Sequence, residues 1–122
     1  MALNSKQLAQ AEKRRAKLIK ICEAFPEAEI SAAGEDHLAF RIRKKIFAYY
    51  LFDHHGDGMI GFACKSNLSE QRRQVRADPE NYYVPAYVGP RGWIGIRLDT
   101  DELDWEIVEQ FARAAYQSSA PR

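Results

Sequence analysis

The chain has 122 residues, of which 46% are hydrophobic and 29% charged, and its formal net charge is +1. Those values describe one ordinary globular domain and exclude disorder, collagen-like repeats and low-complexity scaffolds. No apolar run approaches the roughly 20 residues of a membrane span, and no apolar segment follows the N-terminus as a signal peptide would. The expected setting is therefore the cytoplasm.

Asn4 with Gln7 three residues on predicts a capping box for a first helix. Leu18, Ile21, Cys22 and Phe25 give its buried stripe, and Pro26 stops it. Leu38, Phe40 and Ile42 alternate with Ala39, Arg41 and Arg43, the period of a strand with one wet face. After a polar break, residues 46–52 (IFAYYLF) read as an aromatic-rich strand. Residues 53–58 (DHHGDG) form a turn, and residues 59–64 complete an antiparallel meander.

Asn67 with Glu70 predicts a second capping box for a short, polar helix reaching about Ala77. Leu68 and Val75 are its expected anchors, while Arg72, Arg73 and Arg76 share one face. Residues 82–87 (YYVPAY) read as extended, Gly89-Pro90-Arg91-Gly92 as a turn, and residues 93–98 (WIGIRL) as a last strand. Trp105, Val108, Phe111, Ala112 and Ala115 form the stripe of a closing helix. The expected fold is α+β: one two-layer domain over residues 1–122. Its antiparallel sheet, a meander plus a C-terminal strand, carries N-terminal, short middle and C-terminal helices.

Charge is segregated along the chain. Residues 1–25, 41–52 and 65–77 carry +4, +4 and +3, whereas residues 26–40 and 99–122 each carry −4. A nearly neutral chain can therefore present a basic and an acidic face. Cys22 and Cys64 lie outside any metal-ligating spacing and read as buried apolar residues. His54 and His55, with Asp53 and Asp57, form the one metal-like cluster, but neighbouring strand residues point to opposite faces. The cluster reads as a polar hairpin tip, with no metal or other cofactor expected. His37 beside Glu35 and Asp36 has no nucleophile to pair with, and neither GxSxG nor a phosphate loop is present. No enzymatic activity is expected.

Residues 85–99 (PAYVGPRGWIGIRLD), with Phe25-Pro26-Glu27, Phe40-Arg41 and Phe47-Ala48, resemble the MmcQ/YjbR family over roughly residues 15–117. The resemblance implies a compact domain of the secretion-chaperone-like type whose hairpins form a double wing, and it implies DNA binding. Many members of that family have a histidine near the aromatic segment where this chain has Val88, so that residue's role does not carry over.

Two binding surfaces are legible. The first is a basic face for DNA, made of Arg41, Arg43, Lys44 and Lys45 on the first hairpin, Lys65, Arg72, Arg73 and Arg76 around the second helix, and Arg91. It would contact phosphates without sequence specificity. The alternative is an aromatic groove for a protein or small ligand, made of Tyr49, Tyr82, Tyr83, Tyr87 and Trp93. The chain is expected as a monomer or a weak homodimer joined at an open sheet edge.

Overall fold

The computed structural model describes residues 3–34, 36–53, 58–101 and 103–120. Helix α1 (Ser5–Glu23) opens on Asn4, whose side chain accepts the Gln7 amide at 2.8 Å while the Gln7 side chain accepts the Asn4 amide at 2.8 Å. The pair satisfies two amides that have no carbonyl partner inside the helix. α1 buries Ala11, Leu18 and Cys22. Glu27, with φ of 63°, then turns the chain into the sheet.

The strands are β1 (Ala28–Ala32), β2 (Leu38–Ile42), β3 (Lys45–Phe52), β4 (Ile60–Cys64), β5 (Tyr82–Tyr83) and β6 (Ile94–Arg97). They form one open sheet in the order β1-β2-β3-β4-β6-β5, with every neighbouring pair antiparallel. Helix α2 (Leu68–Ala77) lies between β4 and β5, and helix α3 (Trp105–Ser119) closes the described chain. The α+β expectation holds, with two additions to the sheet. The two-residue β5, at the start of the segment read as extended, pairs with β6. β1 is an extra edge strand, and only its Ala28 and Ile30 are even half-buried.

α1 and α3 cover one face of the sheet. The register puts Phe40, Ala48, Cys64 and Ile94 in one row across four strands, with Leu38, Tyr50, Phe62 and Ile96 in the next. All are buried with Leu18, Cys22, Val108, Ala112 and Ala115 from the helices. Between β2 and β3 the register slips: Phe40 pairs with Ala48, but Arg41 pairs with Ile46. Phe47 is therefore an extra residue on β3, and the bulge lets Phe47 and its neighbour Ala48 both be buried. The Phe47 ring meets Phe25 at 6.4 Å and Tyr116 at 5.8 Å, both edge-on.

α2 departs from its expected anchoring in part: Val75 packs against the core as expected, but Leu68 does not. Leu68 is 40% exposed, and the buried residue of the helix is Gln71. The Gln71 side-chain amide donates to the carbonyls of Gly89 (2.8 Å) and Trp93 (2.6 Å). A polar helix with little apolar surface is thus held by Val75 and by hydrogen bonds to the turn, where the Gly89 carbonyl also accepts the Gly92 amide at 2.9 Å. The second capping box is half-formed. Asn67 accepts the Glu70 amide at 2.8 Å, but the Glu70 carboxylate is taken by Arg73 and Gln74.

Candidate functional site

Three cations meet at one end of the sheet. Lys45 begins β3, Lys65 follows β4, and Arg91 ends the 3-10 turn (Gly89–Arg91) that leads into β6. The Lys65 amide bonds the Phe47 carbonyl at 3.0 Å, and Cys64 pairs with Ile94, so the three backbones share one end. The Lys65 ammonium donates to Ser119 Oγ at 2.9 Å, in the last turn of α3. That turn has no basic residue of its own, and Lys65 supplies positive charge beside its outward-facing carbonyls. Partial burial, then the nearby charges of Lys45 and Arg91, hold the Lys65 pKa below its ordinary 10.5. Among the described residues no acidic group forms an ion pair with Lys44, Lys45, Lys65 or Arg91.

α2 adds its charges beside this end. Gly92, with φ of 88°, lies so close to α2 that a Cβ there would sit 2.6 Å from the Leu68 amide nitrogen. Any larger residue would push the start of α2 away from the Arg91 turn. With Gln71 turned inward, Arg72, Arg73 and Arg76 are exposed. They are not equivalent. The Arg73 guanidinium holds both Glu70 carboxylate oxygens at 2.7 Å, pushing the Glu70 pKa down. Arg72 and Arg76 make no ion pair among the described residues.

Of the remaining expected cations, two lie beside this end and one away from it. Arg43 and Lys44 form the β2–β3 turn, and Arg43 faces Glu27 at 3.4 Å with both side chains 62% exposed, a weak pair. Arg41 is half-buried, and the register puts it on the sheet face opposite Ile42 and the helices. The nine basic residues thus divide into a convergent end (Lys45, Lys65, Arg91), a neighbouring helix face (Arg72, Arg76), a hairpin turn (Arg43, Lys44), one neutralised residue (Arg73) and one outlier (Arg41).

The five expected groove aromatics do not share a surface. Tyr82 and Tyr83 are consecutive in a strand and so point to opposite faces. Tyr82 packs against Phe111 of α3 at 6.0 Å on the helix side. Tyr83 lies across Gly61 and Gly95 on the other side, where a Cβ on either glycine would strike its ring or hydroxyl at 2.0–2.4 Å. Trp93 is buried and tilts against Tyr49 at 5.8 Å. Tyr49 and Tyr87 remain together, on the wall of a cavity on the helix-free face that also includes Ala63 and His37. His37 was not anticipated there. Its Nδ1 accepts the Phe52 amide at 2.9 Å, so that nitrogen carries no proton and the ring is held against β3.

A metal site finds no support among the described residues, where no three metal-binding side chains gather. His54, His55 and Asp57 lie outside the described residues, as does Glu35. Asp53 Oδ1 accepts the Gly58 amide at 2.6 Å, the work of a turn residue. Cys22 and Cys64 are free and buried, as expected. No described helix is long and apolar enough to cross a membrane.

A YjbR family model matches residues 23–118, nearly the whole of this sheet with α2 and α3. The chain belongs to the YjbR family. The family resemblance read from residues 85–99 is thereby borne out. The fold of this YjbR-family chain is similar to the crystal structure of Deinococcus radiodurans protein DR2400, which carries the DUF419 domain. The TM-score is 0.68 at 16% identity, covering 83% of this chain and 74% of that one. At that identity the likeness speaks for the fold alone. No curated protein matches the sequence.

Proposed function

We propose that this YjbR-family protein binds nucleic acid, without acting on it as an enzyme, through phosphate contacts at the basic end of its sheet. The observation that carries this reading is the convergence of Lys45, Lys65 and Arg91 from three chain segments, with no acidic partner among the described residues. Three cations held together repel one another, and a polyanion relieves that repulsion while releasing its own counterions. Arg72 and Arg76 extend the contact along α2. Arg43 and Lys44 make the β2–β3 turn a wing alongside it. Arg73 is spent on Glu70 and Arg41 faces elsewhere, so neither belongs to the contact. Phosphate contacts carry no base information, and sequence specificity is not part of the reading. Two free buried thiols suit the reducing cytoplasm in which we place it.

The test is a comparison of variants. Lys45→Gln with Arg91→Gln should weaken binding to a fluorescent DNA duplex by about tenfold or more, as the loss of two phosphate contacts requires. Arg73→Gln should leave it nearly unchanged. Equal losses from both variants, or none from the first, would remove the basic end from the reading.

A further inference from the structure

The face of the sheet that carries no helix is built from unusually small residues. Ala39, Gly61, Ala63 and Gly95 share it, and their register sets Ala63 against both Tyr49 and Gly95. Small residues in a central sheet leave room for something above them. Over Gly61 and Gly95 the occupant belongs to the chain, because Tyr83 lies flat against both. Over Ala63, two residues along β4 on the same face, a cavity of about 220 Å³ opens instead. Ala63 and Leu51 line it with Tyr49 and His37, and the loop at Tyr87 and Val88 forms its far wall.

The loop residue Tyr87 supplies a second, independent observation. Its φ is +66°, the left-handed region that bulky residues rarely occupy, and the residue is 80% exposed. Such strain persists where the surrounding structure enforces it, and it concentrates at ligand clamps. The enforcement is visible. Gln71 ties down Gly89 and Trp93 on the C-terminal side of the loop, while buried Pro85 precedes it.

We propose that this cavity is a binding site for a small, neutral, flat molecule of one or two aromatic rings, held against Tyr49 and covered by Tyr87. The size follows from the volume: an apolar protein cavity of about 150 Å³ accepts a benzene ring, so this one takes a ring bearing substituents or a fused pair. Neutrality follows from the lining, which contains no Lys, Arg, Asp or Glu among the described residues. Burying an ion there would cost its hydration with no countercharge to offset it. Flatness follows from the ring walls, which favour stacked or edge-on aromatic partners. The site stands apart from the basic end and does not depend on nucleic-acid binding.

The experiment is a titration of the isotope-labelled 122-residue chain with p-cresol and with benzimidazole, both neutral at pH 7.5, and with benzoate as the charged counterpart. Amide and methyl shifts are followed by NMR. The neutral rings should shift Tyr49, Leu51, Ala63 and Val88 saturably, and benzoate should leave them unmoved. Tyr87→Gly should fold at least as stably, because glycine takes positive φ freely, yet bind the neutral rings about tenfold more weakly. Ala86→Trp, at an exposed loop position, fills the mouth and should abolish the shifts without touching the sheet. The proposal is overturned if neither neutral ring shifts these residues, if benzoate shifts them equally, if the shifts cluster between α2 and α3 instead, or if Tyr87→Gly binds as tightly as the parent.

Discussion

The Tyr116 hydroxyl donates to the Pro26 carbonyl at 2.8 Å, joining residues 90 positions apart. Its ring stacks on Phe25 at 4.9 Å, so the last turns of α3 close over the loop where α1 ends. Phe47 meets the same ring edge-on from the bulge of β3. Three segments that the chain keeps far apart are locked by one side chain.

Tyr116→Phe keeps the stack and loses only the hydrogen bond at an exposed position, so it should cost about 0.5–1 kcal/mol. Tyr116→Ala should cost about 3 kcal/mol, because the rings of Phe25 and Phe47 lose their cover. Chemical denaturation of both variants measures the difference. Equal losses would mean that the hydroxyl, and not the ring, holds the corner.

Gln71→Leu replaces the one buried side chain of α2 with an apolar residue of similar length. Leucine cannot serve the carbonyls of Gly89 and Trp93; Gly89 keeps the Gly92 amide, so the loss falls mainly on the Trp93 carbonyl and should cost about 1–3 kcal/mol. The loosening should be local, with faster hydrogen exchange from Val88 to Gly92. Unchanged exchange there would detach α2 from the turn that carries Arg91.

Gly95→Ala should destabilise the fold by about 1–3 kcal/mol, because its new methyl meets the Tyr83 ring. In a Tyr83→Ala background the same change should cost well under 1 kcal/mol, a coupling that a double-mutant cycle reads directly. Additive losses would mean that the ring does not rest on Gly95.

High pH should unfold the protein early. Burial raises the Cys22 pKa from 9.0 to about 12 and the Tyr50 pKa from 10.0 to about 12, and it also raises that of Cys64. Below pH 9 both folded and unfolded chains keep these protons, and the full stability is present. Above it the unfolded chain ionises first, so stability should fall by about 1.4 kcal/mol per pH unit for each titrating group until the folded state ionises near pH 12. A Cys22→Ala, Cys64→Ala double variant should flatten the part of the loss that begins at pH 9. Denaturation curves from pH 8 to 11 test this, and a level wild-type profile would contradict the burial of both thiols.

The sequence displayed the fold better than the site. Period-two patterning carried β2 and aromatic strand formers carried β3, because the strands of the meander bury one face completely. Ala28–Ala32 carries little strand signal because an edge strand buries little, and its Glu29 and Ser31 look like loop residues. The bulge at Phe47 is invisible to any strict alternation, since it consists of one residue that breaks the period. Gln71 hides in a polar helix, where only its distance to two carbonyls distinguishes it from Gln74. Strand parity separates Tyr82 from Tyr83 in sequence already, but grouping the aromatics by proximity along the chain obscures it. The convergence of Lys45, Lys65 and Arg91 depends on β6 lying beside β4, a crossover that no local pattern encodes.

The most direct test of the central claim is the salt dependence of binding to a short DNA duplex. Roughly three to five phosphate contacts predict a slope of about −3 to −4.5 in log affinity against log salt. A slope in that range, reduced by about 2 in the Lys45→Gln, Arg91→Gln variant, is the expected result. No binding at about 50 mM salt, or binding that does not respond to salt, would contradict phosphate recognition by this chain.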